Sequence, residues 1–319
     1  MMTVDERRAH NKSTIIAILL TCIAYGYFNI GDAAIKVLSQ KFHISQIMFI
    51  NSVMVIAFMV TYGAIIEGRK AFRVFNPKWM ALRATFALGV AAANLSALPH
   101  VRLTTFYTLI FTSPFWIAIL SAIFLGERLE KKRFAVIIFG FFVILYILRP
   151  GGAVFNIWAF LVLLSAFMYS CSMVIMRHMG SRESRVMIIC SGSLFSALAS
   201  APFLPAHYVA PTLFDWGLFG MISLIGAIGV MCIAYAFQNA PSVSVIAPFH
   251  YTQMIWGALL GYYLFGEIPD MPTMIGAGLL ILGGLYLIYL ETRSARGDVS
   301  PARAAGWFSR LRAYNPTPK

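Results

Sequence analysis

Runs of about twenty apolar residues recur along nearly the whole of this 319-residue chain, and they leave few folds open to it. As a helix, each run is long enough to cross a hydrocarbon core of ~30 Å. Hydrophobic residues make up 60% of the sequence and charged residues 12%, whereas a soluble domain of this size needs about 25% charged residues to cover its surface. The chain therefore reads as an all-α integral membrane protein. Ten spans are expected, at 14–38, 43–66, 78–98, 102–125, 133–149, 153–176, 185–204, 213–238, 242–265 and 272–291. The first twelve residues are polar, and the apolar run from Ile15 is too long for a signal peptide and lacks a small-residue cleavage site. It reads as the first span.

The net charge of +13 would suit a nucleic-acid partner, but its distribution points elsewhere. With the N-terminus placed inside, 21 of the 25 Lys and Arg residues fall on cytoplasmic segments and 4 on outer ones. That asymmetry is the positive-inside rule, with both ends cytoplasmic and the inner membrane of a bacterium as the expected location. The basic charge is a topology signal, and no nucleic-acid partner is expected. Trp79, Trp158 and Trp216 each begin a span, where aromatic belts form. The polar tail holds Trp307, Phe308 and Leu311 beside Arg310 and Arg312; it reads either as a segment on the inner leaflet or as a disordered end.

The sequence repeats itself. A shift of 140 residues lays the fourth and fifth spans on the ninth and tenth: Thr112 on Thr252, Trp116 on Trp256, Ala118 on Ala258, Leu120 on Leu260, Gly126–Glu127 on Gly266–Glu267, and Leu145–Tyr146 on Leu285–Tyr286. A two-residue gap brings Pro99 onto Pro241. Leu and Ala pair easily by chance in so apolar a chain, but the Trp and Gly-Glu matches in one ungapped register do not. Five spans per half is an odd number, so the second half enters the membrane from the opposite side. The expected organisation is a cytoplasmic segment at 1–13, a first five-helix repeat at 14–150, an inverted second repeat at 151–291, and a cytoplasmic tail at 292–319. Inverted repeats characterise secondary transporters, whose substrate sites lie near the midplane where the halves meet.

The ten-span layout, the "FLGERL" and "LFGEIPD" ends of spans four and nine, and "APFHYTQMIWGALLGYYLFGE" resemble the EamA-type branch of the drug/metabolite transporter superfamily. Span one, with Tyr25–Gly26 and Lys36, is similar to that family's Trp-Gly…Lys pattern with Tyr in place of Trp. The chain departs from many relatives at Asn51, where they carry Arg. The resemblance covers roughly residues 14–291. It implies a carrier fold and a small-molecule substrate, with amino acids, riboflavin, S-adenosylmethionine, nucleotide derivatives and drugs among the solutes such proteins handle.

Of the twelve acids only Asp32 lies inside an expected span, the others falling in loops, at span ends or in tails, and an ionisable group in the bilayer is a functional candidate by default. Lys36 follows one helical turn later on the same face, so the two read either as a substrate or gating pair or as a structural ion pair. His250, about eight residues or ~12 Å into span nine, is the histidine nearest mid-membrane. Pro248 removes a backbone donor just before it, and Tyr251 and Gln253 follow. A neutral imidazole can bond a polar solute or carry a proton, or it can simply be satisfied by a neighbouring carbonyl. Asp32 and His250 are accordingly the two candidates for proton coupling.

Trp116 and Trp256 lie at equal depth in the two halves, positioned to flank a planar solute or to serve packing. Asn29, Asn94 and Tyr107 are further candidates for solute contact, alongside Tyr169, Tyr235 and Gln238; polar groups in spans also bridge helices. Arg83 and Arg102, near span ends, are expected to snorkel to the interface. Gly257-x-x-x-Gly261, with Gly276, Gly278, Gly283 and Gly284, reads as a packing signal that lets spans nine and ten approach closely, within the molecule or in a homodimer, so both monomer and homodimer stay open.

The four cysteines lie scattered in apolar segments and read as packing residues. No metal site and no cofactor are expected. A membrane enzyme would need a motif such as H-E-x-x-H, G-x-S-x-G or a Walker A loop, and the chain has none of them. A channel is the remaining alternative, against which the inverted repeat favours a carrier. The sparse charge of the spans points to neutral or zwitterionic solutes such as amino acids or related metabolites, with riboflavin or S-adenosylmethionine-like cofactors as the alternative.

Overall fold

Apolar runs of this length bury their backbone polar groups most simply in their own hydrogen bonds, and the described residues are largely helical. The computed structural model describes residues 4–126, 131–148, 156–239, 249, 252–268 and 271–297, and no strand occurs among them. The helices are α1 (Val4–Leu38), α2 (Ile44–Tyr62), α3 (Pro77–Ala97), α4 (Leu103–Ile110), α5 (Ser113–Leu120), α6 (Lys131–Leu148), α7 (Ile157–Met179), α8 (Arg185–Ser200), α9 (Leu213–Asn239), α10 (Thr252–Phe265) and α11 (Met271–Gly297).

Seven helices among the described residues are long and apolar enough to cross a membrane: Ile16–Leu38, Ile44–Phe72, Pro77–His100, Thr105–Leu125, Ile157–Met179, Arg185–His207 and Leu213–Gln238. The other expected spans fall on α6, α10 and α11. Two boundaries differ from expectation. Helix α1 begins at Val4, so the polar lead-in continues the first span as helix, and α11 carries on to Gly297, six residues into the expected tail. Polar residues do not end a helix by themselves; no proline or left-handed glycine intervenes in either stretch.

The ends that do stop are stopped by identifiable chemistry. Asn156 accepts the Ala159 N–H at 3.0 Å to start α7. Thr212 and Asp215 cap α9 reciprocally, the Asp215 carboxylate accepting the Thr212 N–H at 2.7 Å and the Thr212 hydroxyl accepting the Asp215 N–H at 3.4 Å. Gly126 (φ 70°) and Gly266 (φ 64°), the two glycines of the repeated Gly-Glu motif, both adopt the left-handed conformation that ends a helix. The fourth span is broken between α4 and α5. Pro114 cannot donate to the Ile110 carbonyl one turn back, and the Ser113 hydroxyl takes that acceptor at 2.6 Å.

The helices pack crosswise between the two parts of the chain. The most extensive contacts are α1 on α9, α3 on α7 and α2 on α8. Next come α2 on α9, α3 on α8, α6 on α11, α5 on α7, α1 on α10 and α4 on α10. Polar ties follow the same rule. Lys36 pairs with Glu267, Lys41 with Asp215, and the Glu183 carboxylate accepts the N–H groups of Phe75 (3.1 Å) and Asn76 (2.6 Å) at the entry to α3. Each joins a residue before 100 to one after 180.

Candidate functional site

A cavity of about 230 Å³ lies among α2, α3, α8 and α9, with Phe28 of α1 on its wall. Its lining is largely apolar, broken by Asn51 and Ser52 of α2, Arg83 of α3, and Ser193 and Ser196 of α8. Asn51 stands seven residues into α2 and Ser193 eight residues into α8, so at ~1.5 Å per residue both sit about 10–12 Å along their helices. Helices from both parts of the chain contribute to this wall.

Arg83 is the one charged residue of this lining. Expected to snorkel, it instead turns inward and is 5% exposed. One guanidinium nitrogen, Nη1, donates to the Ile188 carbonyl of α8, while the buried Nε has no hydrogen-bond partner. Snorkelling would carry the guanidinium out to the interface; here it faces α8 and bonds the Ile188 carbonyl instead. Around it, the Asn51 side-chain oxygen accepts the Ser223 hydroxyl at 2.8 Å, fixing that amide across α2 and α9.

The residues singled out from sequence gather elsewhere, mostly on the seam of α1, α4 and α10. Asp32 accepts the Tyr107 hydroxyl at 2.9 Å, and Tyr107 is fully buried. Lys36 does not pair with Asp32. Its ammonium meets Glu267 at 2.5 Å, donates to the Val101 carbonyl at 3.1 Å, and lies 5.0 Å from the Phe265 ring centroid. The i, i+4 spacing allowed the pair with Asp32, but Glu267 is held in better position: its second oxygen accepts the Leu103 N–H at 2.8 Å at the start of α4, and its own N–H bonds the Gly261 carbonyl at 2.9 Å.

Trp256 packs over Gly26, where a Cβ would stand 3.6 Å from the indole Nε1. Gln253 is buried with its Oε1 unpartnered, and Asn29 is buried in α1, its amide N–H bonding the Tyr25 carbonyl at 2.7 Å and its Oδ1 unpartnered. Two candidates stand apart from the seam. Asn94 accepts the Ser165 hydroxyl, bridging α3 and α7, and Trp116 meets Phe167 edge-on at 5.2 Å. His250 and Tyr251 lie outside the described residues. None of the eight described candidates lines the cavity. Among the described residues no group of three or more His, Cys, Asp or Glu could hold a metal.

The EamA-like transporter family model matches the chain twice, over residues 12–149 and 156–290. An "S-adenosylmethionine uptake transporter" of Rickettsia bellii is 26% identical over 268 residues, covering 83% of this chain and 90% of its own. A "Pseudopaline exporter CntI" of Pseudomonas aeruginosa is 24% identical over 272 residues, covering 85% and 95%. A solved crystal structure superposes with a TM-score of 0.67 at 17% identity, over 89% of this chain and 99% of that one, a likeness of fold. Two matched segments that together span nearly all the membrane helices leave one conclusion: the chain belongs to the EamA-like transporter family, as a multi-pass protein of the inner membrane.

Proposed function

We propose that this protein is a secondary carrier that moves a small organic metabolite across the inner membrane by alternating access. In this reading its ten spans form two inverted five-helix repeats, 14–150 and 151–291, with both ends cytoplasmic. The observation that carries the proposal is the reciprocity of helix partners. Exchanging each helix for its counterpart in the other half turns the α1–α9 pair into α7–α3, the α2–α9 pair into α8–α3, and the α1–α10 pair into α7–α5, while α2–α8 and α6–α11 map onto themselves. Such a pattern supports two conformations of equal kind, reached by exchanging the packing of the halves around one fixed site.

The solute enters the cavity at Asn51, Ser193 and Arg83, and the Lys36–Glu267 pair holds one end of the α1, α4 and α10 seam closed. Amino acids or related zwitterions are the first substrate class. A cofactor-sized solute is the second, favoured by relatives named for S-adenosylmethionine uptake. Because one relative is named for uptake and another for export, direction is not inherited from them. Asp32 and His250 stay the coupling candidates. The test is uptake into proteoliposomes of radiolabelled amino acids, riboflavin and S-adenosylmethionine, with and without unlabelled solute inside. A carrier gives saturable uptake that internal solute accelerates; flux rising linearly with concentration, indifferent to internal solute, would mean a channel.

A further inference from the structure

The Arg83 guanidinium is the feature of the cavity that packing alone does not account for. An arginine carries five N–H donors and no acceptor, and at a buried site each unmet donor is penalised. Burying the charge itself inside a membrane protein is expensive unless a partner is present. Yet Nη1 is spent on the Ile188 carbonyl, Nε has no partner, no acid lines the cavity, and Arg83 forms no ion pair among the described residues. The neighbouring wall is neutral hydroxyl and amide, which can accompany an anion without neutralising the arginine. Gly192 stands close beside the guanidinium: a Cβ there would lie 3.4 Å from Nη1.

We infer that Arg83 anchors the carboxylate end of the transported solute; this rests on the carrier reading above. The planar fork of a guanidinium matches a carboxylate in two parallel hydrogen bonds, a geometry an ammonium cannot offer. At a buried site the attraction is stronger than in water. Solutes lacking the carboxylate are rejected, because they would leave the charge and Nε unpaired on binding. The apolar remainder of the lining, with Phe28, takes the rest of the molecule. The substrate class is therefore narrowed from neutral or zwitterionic solutes in general to those bearing a carboxylate.

The test uses the purified full-length protein and matched acid and non-acid probes: S-adenosylmethionine with its decarboxylated form, L-methionine with methioninamide, succinate with succinamide, and benzoate with benzamide, with inorganic phosphate and chloride alongside. Ligand-induced thermal shifts are read on wild type, Arg83→Met and Arg83→Lys. At least one acid is expected to stabilise the wild type where its partner does not. Its Kd should rise about 30-fold or more in Arg83→Met and less in Arg83→Lys. Because Arg83→Met can fail to fold, phenylglyoxal labelling of Arg83 in the wild type, read by peptide mass, gives a second measure: the same acid should slow it and its partner should not.

Acid binding unchanged in folded Arg83→Met, equal binding of acids and their partners, preference for phosphate or chloride, or no acid binding at all would each overturn the assignment. Uptake of the same probes into proteoliposomes separates the two claims. Saturable uptake of a non-acid, untouched by Arg83→Met, would sink the anchor and leave the carrier. Arg83-dependent acid binding with no uptake above empty liposomes would sink the carrier and leave the anchor.

Discussion

Glu267 serves three partners at once: the Lys36 ammonium, the Leu103 N–H and, through its own backbone, the Gly261 carbonyl. The Lys36 and Glu267 side chains are 13% and 12% exposed, so the pair is shielded well enough to matter. Removing either partner alone leaves a buried charge and is expected to destabilise by about 3–5 kcal/mol. A cycle of Lys36→Met, Glu267→Gln and the double variant should give a coupling of about 1–3 kcal/mol in thermal unfolding in detergent; additive effects would show the contact to be idle.

The His43 ring stacks on His207 at 4.0 Å and caps α2 by accepting the Ser45 N–H. Burial first, and then repulsion from His207, lower the His43 pKa below its ordinary 6.5. A base whose folded pKa is depressed favours the folded state above the unfolded value, and that contribution is lost as pH falls below 6.5. The melting temperature should therefore drop between pH 7 and pH 5, and drop less in His43→Gln. An identical pH profile in the variant would exclude this pair as the source.

At the scale of helices, the approach of α4 to α10 is set by Gly257, where a Cβ would fall inside the Tyr107 ring. Gly257→Ala must push that ring aside and with it the hydroxyl that Asp32 accepts. We expect a loss of about 1–3 kcal/mol in stability, read by thermal unfolding. Tyr107→Phe with Gly257→Ala should lose no more from the Asp32 bond than Tyr107→Phe alone. The Gly257-x-x-x-Gly261 motif was legible in sequence as a packing signal, but its partner was not: the glycines face Tyr107 and Leu103 of α4 and not the expected tenth span. The Gly-Glu repeat was legible too, since left-handed glycine leaves a mark at Gly126 and Gly266. What the sequence hid was pairing between distant helices. Lys36 has an acid at local spacing, Asp32, and only the fold shows that Glu267 outcompetes it. Arg83 looked like a span-end residue because nothing within a turn or two of it reveals that its acceptor is the Ile188 carbonyl of α8.

For the molecule as a whole, interleaving means that neither half owns its packing. The principal partners of α1, α2 and α3 are α9, α8 and α7, so a fragment ending near residue 150 is left with its packing faces unmatched. We expect the first half expressed alone to be degraded, and co-expression of both halves to restore a complex that purifies together; a stable, monodisperse first half would contradict this. Membrane character, helical class and twofold repetition were all readable from the chain, because hydrophobic length and charge asymmetry are local or additive properties. The cavity was not, because it is made by four helices whose sequences never touch.

The Arg83–Ile188 hydrogen bond also imposes a schedule on biosynthesis. Its acceptor lies 105 residues downstream of its donor. At a ribosomal rate of about 5–20 residues per second, α3 waits roughly 5–20 s in the lipid, or at the edge of the translocon, before α8 arrives. Throughout that interval a guanidinium must be hydrated or shielded by something other than its final neighbour. A stall before α8 thus leaves the nascent protein carrying an exposed intramembrane charge, a feature by which quality control can tell an unfinished copy from a finished one.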